Sequence, residues 1–184
     1  MNEVFDFAKE HMTKSIESLK KDLNTLRTGK VSIHVLDGVK VEYYGAPTPL
    51  NQVANVTATD ATTIVVNPWD KSVMKDIERA IQEANIGVNP NSDGESIKLY
   101  FPPMTEEERK KQAKKAKEFA EKAKIAIRNI RREANDEIKS MLKEKLITED
   151  EERSGLEEVQ KITDDFVKKT DEIVNKKIDD VMKV

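Results

Sequence analysis

Positive side chains recur along a stretch that reads as one helix of roughly forty residues, from Thr105 to Lys145. At about 100° per residue, these side chains project within roughly 60° of one direction. This basic stripe consists of Lys110, Lys114, Lys117, Lys124, Arg128, Arg131, Arg132 and Lys139. Its three arginines follow one another at i, i+3 and i+4, and a guanidinium presents a planar fork that suits phosphate oxygens. The basic stripe therefore predicts binding to a nucleic-acid backbone.

A solvated surface is the alternative interpretation of the basic stripe, because charged helices often do no more than keep a protein soluble. Acids placed four residues before the bases, which would support the helix through side-chain pairs, are mostly missing. Between Arg109 and Arg132 the chain has eleven Lys or Arg residues and only two acids, Glu118 and Glu121. These observations favour nucleic-acid binding over solvation alone.

The whole chain is acidic, with a net charge of −3 over 184 residues, and its charges are segregated. Residues 105–146 contain fourteen bases and nine acids, whereas residues 147–184 contain seven and twelve. An acidic protein with one basic strip indicates a directed contact with RNA or DNA rather than general adhesion. No apolar run approaches the roughly 18 residues of a membrane span, and the acidic first residues are unlike a signal peptide. We therefore expect no membrane contact and a cytoplasmic location.

Residues that could do covalent chemistry are not grouped in any familiar spacing. The chain has no cysteine, His11 and His34 share no metal-binding spacing with acids, and no glycine-rich nucleotide loop or serine-hydrolase motif occurs. We expect no catalytic residue, no metal, no cofactor and no enzymatic activity. The aromatic residues between the helices predict mainly a small core, although Tyr44 or Trp69 could contact a partner. These aromatic residues are Tyr43, Tyr44, Trp69 and Tyr100.

Three amphipathic helices must position the basic stripe. The first is predicted over residues 2–28, with Gly29 as its C-cap. The long helix begins at a capping box opened by Thr105, and a third helix begins at a second box opened by Thr148 and runs to about Met182. Apolar residues recur at steps of three and four along all three, which predicts a long antiparallel three-helix bundle.

Residues 30–104 have a different pattern, typical of a small β/α unit. Strands are predicted over 39–43, 53–59, 62–67 and 97–101, a helix over 71–84, and a rigid loop over 45–49. The fold class is therefore α+β: residues 1–29 and 105–184 form the bundle domain, and 30–104 form an inserted β/α domain. The two connections, near residues 29–30 and 102–105, predict a hinge.

Six motifs spread over essentially the whole chain carry a family resemblance. They are Arg27-Thr28-Gly29, Leu36-Asp37-Gly38, Val41 to Leu50, Asn89 to Ser92, Pro102 to Glu107, and Arg128 to Asp136. In this order they resemble the signature of the ribosome recycling factor family, and the tyrosine–proline and arginine stretches are the specific ones. The resemblance implies an L-shaped, two-domain protein of tRNA-like dimensions, with a three-helix bundle and a hinged β/α domain.

The resemblance also implies a function, which is binding to the post-termination bacterial ribosome through large-subunit ribosomal RNA. Elongation factor G with GTP then acts on the bound protein, the subunits separate, and mRNA and tRNA are released. The implied RNA contacts are Arg128, Arg131 and Arg132, to which the basic stripe adds Lys124, Lys117 and Lys110. The implied hinge residues are Arg27, Thr28, Gly29, Lys30, Pro102, Pro103 and Thr105. Lys30 stands where members often carry arginine, so it keeps the charge but lacks the bidentate fork.

A helical RNA-binding scaffold or chaperone is the alternative function. Such a protein needs an exposed apolar groove or an oligomer seam, whereas the apolar stripes here fit one bundle and predict a monomer. An RNA-modifying enzyme needs a cofactor loop or an acid–base cluster, and the sequence has neither.

Overall fold

A computed structural model describes residues 1–183, which form long α-helices and short β-strands. In chain order the elements are α1 (Asn2–Asn24), β1 (Lys40–Tyr43), β2 (Ala46–Pro49), β3 (Ala54–Ala58), β4 (Thr63–Pro68), α2 (Met74–Ala84), β5 (Asn91–Ser92), β6 (Ile97–Tyr100), α3 (Glu106–Lys143) and α4 (Glu149–Met182). The predicted α+β class is confirmed. Among the described residues, no helix is both long and apolar enough to cross a membrane.

The chain divides into two compact units. Unit 1 contains Met1–Leu23 and Ala113–Asp179, and unit 2 contains Asn24–Gln112 with the chain from Asp180. The helix α3 therefore begins in unit 2 and continues through unit 1. The predicted domain division and hinge stay predictions, because compactness alone does not report motion.

Apolar stripes of α1, α3 and α4 hold unit 1 together. Large side chains such as Met12 and Leu19 line the buried face of α1, whereas α3 buries several alanines, including Ala116 and Ala120. Large residues opposite small ones allow close helix packing. The core cluster consists of Val4, Ala8, Met12, Ile16, Ile127, Ala134, Ile138, Val159, Ile162 and Phe166. The three predicted amphipathic helices are thus present.

The predicted capping box is present at the start of α3, and the Thr148 side chain caps the start of α4 as predicted. At the start of α3, the backbone N–H of Glu108 donates to Thr105 Oγ1 at 3.1 Å, and the Thr105 N–H donates to Glu108 Oε2 at 2.9 Å. At the start of α4, the Glu151 N–H donates to Thr148 Oγ1 at 3.1 Å, while the Thr148 hydroxyl donates to Glu151 Oε1 at 3.2 Å. Three of these four bonds satisfy N–H groups that have no partner within the helix, whereas the bond to Glu151 Oε1 is donated by the Thr148 hydroxyl.

The first helix ends at Asn24, so the prediction of a helix over 2–28 capped by Gly29 is wrong at this end. The chain leaves the helix because the backbone N–H of Arg27 donates to Gln112 Oε1 at 3.2 Å. Leu26 is buried beyond the helix end. Tertiary contacts thus override the helix propensity of these residues.

Unit 2 contains a four-stranded antiparallel sheet in the order β3-β4-β6-β5 and a separate hairpin of β1 and β2. Ile77 and Ile81 of α2 share one buried core with sheet residues such as Ile64 and Leu99. The strand β5 is two residues long, too short for a periodic pattern, and the sequence does not predict it.

The predicted rigid loop over 45–49 is wrong, because residues 46–49 form β2. Tyr43 lies opposite Ala46 in the pairing with β1, which leaves Tyr44 and Gly45 as a two-residue turn. Both turn residues have positive φ, 49° and 80°, as the favoured hairpin turn requires. The prolines of β2 are tolerated because this is an edge strand, where a missing N–H interrupts no central ladder.

Candidate nucleic-acid interface

The basic stripe runs along α3 beside its buried face. Ile127 and Ile138 lie in the core of unit 1, while Arg128 and Arg132 are exposed and one helical turn apart. Arg131 follows Ile127 by four residues and is half-buried, so unit 1 covers part of its side chain. The three predicted arginines are therefore neighbours on one surface of one rigid helix.

Two lysines of the basic stripe are engaged inside the protein. Lys124 Nζ lies 2.7 Å from Asp171 Oδ1 of α4, and the Lys124 side chain is only 19% exposed. Lys110 Nζ lies 3.2 Å from Glu106 Oε1, one turn earlier on α3, and both side chains are mostly exposed. Acids thus partly neutralise two of the six side chains proposed as RNA contacts.

The arginines of the basic stripe are not engaged in this way. Within residues 1–183, no carboxylate lies within 4.0 Å of a basic atom of Arg128, Arg131 or Arg132. Lys117 is exposed and likewise has no ion pair in this part of the chain. Their positive charge is available to an anion outside the protein.

Residues predicted at the hinge make contacts with one another inside unit 2. The guanidinium of Arg27 donates to the Pro102 carbonyl and lies 5.6 Å from the centre of the Phe101 ring. The hydroxyl of Thr28 donates to the Lys30 carbonyl at 2.8 Å. One arginine thus joins the chain leaving α1 to the chain approaching α3.

Gly29 has a packing role instead of the predicted capping role. A Cβ atom built at Gly29 would lie 3.2 Å from the Lys183 carbonyl oxygen, closer than most side chains tolerate. Pro103 and Thr105 are exposed, and Thr105 serves as the cap of α3.

Three aromatic side chains of unit 2 are exposed, contrary to the prediction of a mainly buried role. Tyr44 is 81% exposed and Trp69 is 67% exposed, and Tyr100 is also exposed. Tyr43 is half-buried, and its pKa is raised by burial and by the charge of neighbouring Tyr44. Hydrogen bonds from the side chain and backbone of Ser72 lower the pKa of nearby Asp70. Tyr44, Trp69 and Tyr100 are therefore not part of the core of unit 2.

Both histidines have local structural contacts. The His11 ring lies 4.2 Å from the Phe7 ring, with its Nδ1 3.0 Å from the Phe7 carbonyl oxygen. The Nδ1 atom of His34 lies 3.0 Å from Asp37 Oδ2 on the surface. Within residues 1–183, no three His, Asp or Glu side chains are grouped so that they could hold a metal ion.

Comparison with known proteins decides the family. The family profile described as Ribosome recycling factor matches residues 19–182. The chain belongs to the ribosome recycling factor family. It is 66% identical to the ribosome-recycling factor of a Nitratiruptor species over 184 residues, which cover 100% of this chain and 99% of that one. It is 62% identical to the ribosome-recycling factor of Helicobacter hepaticus, with 100% of both chains covered.

Two solved structures of ribosome recycling factors resemble the whole chain. A solution structure, 32% identical, matches with a TM-score of 0.80 and covers 100% of this chain and 97% of that one. The T. thermophilus factor, described with E. coli elongation factor G on the E. coli post-termination complex, is 43% identical. It matches with a TM-score of 0.67 and covers 99% of this chain and 98% of that one. The family resemblance seen in the sequence motifs is confirmed.

Sequence reasoning about this family member missed two polar residues of α3. Gln112 accepts the hydrogen bond that ends α1, and its place four residues before buried Ala116 is a usable signal, since a polar side chain there must find a partner. Asn135 follows Arg131 by four residues and has a buried, unpaired side-chain oxygen. Nothing in its spacing distinguishes Asn135 from an ordinary surface residue.

Proposed function

We propose that this protein recycles ribosomes. It binds the post-termination ribosome and, with elongation factor G and GTP, promotes dissociation into subunits with release of mRNA and tRNA. The observation that carries the proposal is the group of three unpaired arginines on α3 of a chain that belongs to the ribosome recycling factor family. A relative described together with elongation factor G on the post-termination complex supports the choice of partners.

Arg128, Arg131 and Arg132 are the proposed contacts to large-subunit ribosomal RNA. Each guanidinium can bind a phosphate through two parallel hydrogen bonds, and a hydrogen bond to a charged group contributes about 1.5–3 kcal/mol. Lys117 adds an exposed positive charge to the same face. Lys124 and Lys110 contribute less, because Asp171 and Glu106 already partly neutralise them.

The proposed mechanism assigns different tasks to the bundle and to the inserted β/α domain. The bundle is a continuously packed rod, so a push applied to one part is transmitted along it. The segments around Gly29 and Pro102 serve as the hinge that lets elongation factor G displace the small domain without unfolding either core. The partner GTPase supplies the free energy, so the protein needs no catalytic residue of its own, and it works in the cytoplasm with the ribosomes.

Light scattering of post-termination bacterial ribosomes tests the proposed function. We expect a drop in scattering that requires the protein, elongation factor G and GTP together. Arg132→Ala should slow this drop, whereas Arg153→Ala, which removes an exposed arginine of α4, should not. Unchanged scattering with all three components present would overturn the proposal.

The alternative of an RNA-binding scaffold or chaperone is not favoured. The large apolar residues of α4, such as Val159, Ile162 and Phe166, are buried in the bundle and are not available as a groove or seam. We expect sedimentation to give a monomer, and a stable oligomer would support the scaffold.

A further inference from the structure

Three buried polar atoms on α3 lack hydrogen-bond partners. They are Nε of Arg109, Nε of Arg131 and Oδ1 of Asn135, and no atom of residues 1–183 pairs with any of them. Buried polar atoms in folded proteins are nearly always paired, so each exception needs a physical explanation. Nε of Arg109 lies near the start of α3, whereas Nε of Arg131 and Oδ1 of Asn135 belong to residues one helical turn apart, in the middle of the proposed RNA-binding face.

Nε of Arg131 and Oδ1 of Asn135 are chemically complementary. Nε–H of arginine can only donate a hydrogen bond, and Oδ1 of asparagine can only accept one. Residues four apart on a helix are surface neighbours, about 6 Å between Cβ atoms. Side chains on a helix also incline toward its N-terminus, so Asn135 leans toward the turn that carries Arg131. A bond between them would satisfy both atoms and would displace no existing hydrogen bond.

We propose that Asn135 is a positioning residue for Arg131: its Oδ1 accepts the Nε–H when the guanidinium engages an RNA phosphate. This inference rests on the proposed function. The bond fixes the plane of the guanidinium and directs its two terminal amino groups at the phosphate oxygens, the fork geometry that makes arginine selective for phosphate. Fixing the side chain beforehand also reduces the entropy lost on binding.

Positioning by Asn135 makes specific demands on side-chain chemistry. Alanine at position 135 removes the acceptor, whereas serine keeps an oxygen that can accept. Lysine at position 131 keeps the positive charge but has no Nε–H, so it cannot use Asn135. The effect of Asn135 on RNA binding must therefore depend on arginine at position 131.

The test is a double-mutant cycle on binding to bacterial large ribosomal subunits, measured with the full-length protein at several salt concentrations. Asn135→Ala should weaken binding about tenfold to a hundredfold, the scale of one hydrogen bond to a charged group. In an Arg131→Lys background the same change should alter affinity less than about twofold. In the wild-type background, Asn135→Ala should also reduce the salt dependence of ribosome affinity by about one phosphate contact, as is expected for Arg131→Ala. Asn129→Ala, which removes an exposed asparagine of the same helix, is the matched control and should change neither.

Several outcomes would overturn the inference. An equal loss in both backgrounds would mean that Asn135 acts independently of Arg131, and an unchanged affinity would mean that it has no role. If Asn135→Ala fails to fold, Asn135→Leu, which keeps a similar volume but has no acceptor, replaces it in the cycle, and the same dependence on Arg131 is expected. If Arg131→Ala itself leaves affinity unchanged, the arginine face of the proposed function fails as well, which distinguishes that failure from a failure of Asn135 alone.

Discussion

Two lysines and the three arginines of the basic stripe share one helix but have different surroundings. Lys124 and Lys110 each lie within 3.2 Å of a carboxylate oxygen. No such partner exists for the three arginines within residues 1–183. The number of positive side chains along a helix therefore overstates the charge available for binding, because intramolecular ion pairs neutralise part of it.

The physical chemistry of the two side chains fits this division. Lysine is a compact point charge that pairs well with one carboxylate, as Lys124 does with Asp171 across two helices of the bundle. Arginine is less strongly hydrated and presents a rigid fork, which is better suited to bind phosphate at a partly desolvated interface. Binding energy should therefore be concentrated in the arginines, and stability in the paired lysine.

The largest effect should come from reversing two arginine charges. In Arg128→Glu combined with Arg132→Glu, two phosphate contacts are lost and two repulsive charges face the RNA. We expect ribosome affinity to fall at least about 100-fold, since each charged hydrogen bond contributes about 1.5–3 kcal/mol. Sedimentation with ribosomes measures it, and Arg153→Glu is the control with an equal change of charge per site. A loss of affinity in Arg153→Glu that is half as large on a logarithmic scale would show that only net charge matters.

Next in size is the difference between Arg131→Ala and Lys124→Ala. Arg131→Ala should weaken ribosome binding by at least about 1 kcal/mol and leave the bundle folded. Lys124→Ala should do the reverse, lowering the free energy of unfolding by about 1 kcal/mol or less while affinity changes little. Binding titrations and urea unfolding on the same samples measure both quantities. If Lys124→Ala weakened binding as strongly as Arg131→Ala, the division between paired and unpaired residues would be wrong.

Much of the helical architecture could be predicted from the sequence because its signals are local. Capping residues, apolar spacing and, for α3, the absence of Gly or Pro located α3 and α4 to within a few residues, and the caps at Thr105 and Thr148 are present. The end of α1 could not be predicted, because it depends on a bond from Arg27 to Gln112, 85 residues away. The hairpin strand β2 was hidden by its two prolines, which ordinarily indicate a loop.

The candidate site was only partly predictable for the same reason. Spacing alone places the arginines on one face of a helix, but it does not show that Asp171 neutralises Lys124. Gly155 is a second example. From helix propensity alone, a glycine inside α4 destabilises the helix by about 1 kcal/mol relative to alanine. In the fold, a Cβ atom there would lie 3.0 Å from Met1 Sδ and 3.3 Å from Ile138 Cδ1. Both facts depend on residues that are distant in the sequence.

A smaller effect, a gain in ribosome affinity, is expected when the ion pair between Lys124 and Asp171 is broken by changing the aspartate. Asp171→Asn keeps the shape of the side chain but removes its charge, so the ammonium of Lys124 becomes available to phosphate. We expect ribosome affinity to rise about twofold at low salt and the bundle to lose about 1 kcal/mol or less. Glu172→Gln, an exposed acid beside it on α4, controls for net charge and should give a smaller gain in affinity. Equal gains from the two variants would contradict a specific role for the pair.

The smallest effect should come from Lys110→Ala, because its pair with Glu106 is exposed at both ends. The two side chains are 67% and 78% exposed, so water and salt screen their interaction, and such pairs contribute about 0.3–0.5 kcal/mol to a helix. Removing Lys110 also leaves Glu106 near the positive end of the α3 dipole, where a negative charge is favourable without a partner. We therefore expect thermal unfolding to shift by no more than about 1 °C and ribosome affinity to change less than about twofold. If affinity fell as far as in Arg131→Ala, an exposed ion pair would not prevent a lysine from binding phosphate. Burial of the ion pair, as at Lys124, would then be what prevents a lysine from contributing to RNA binding.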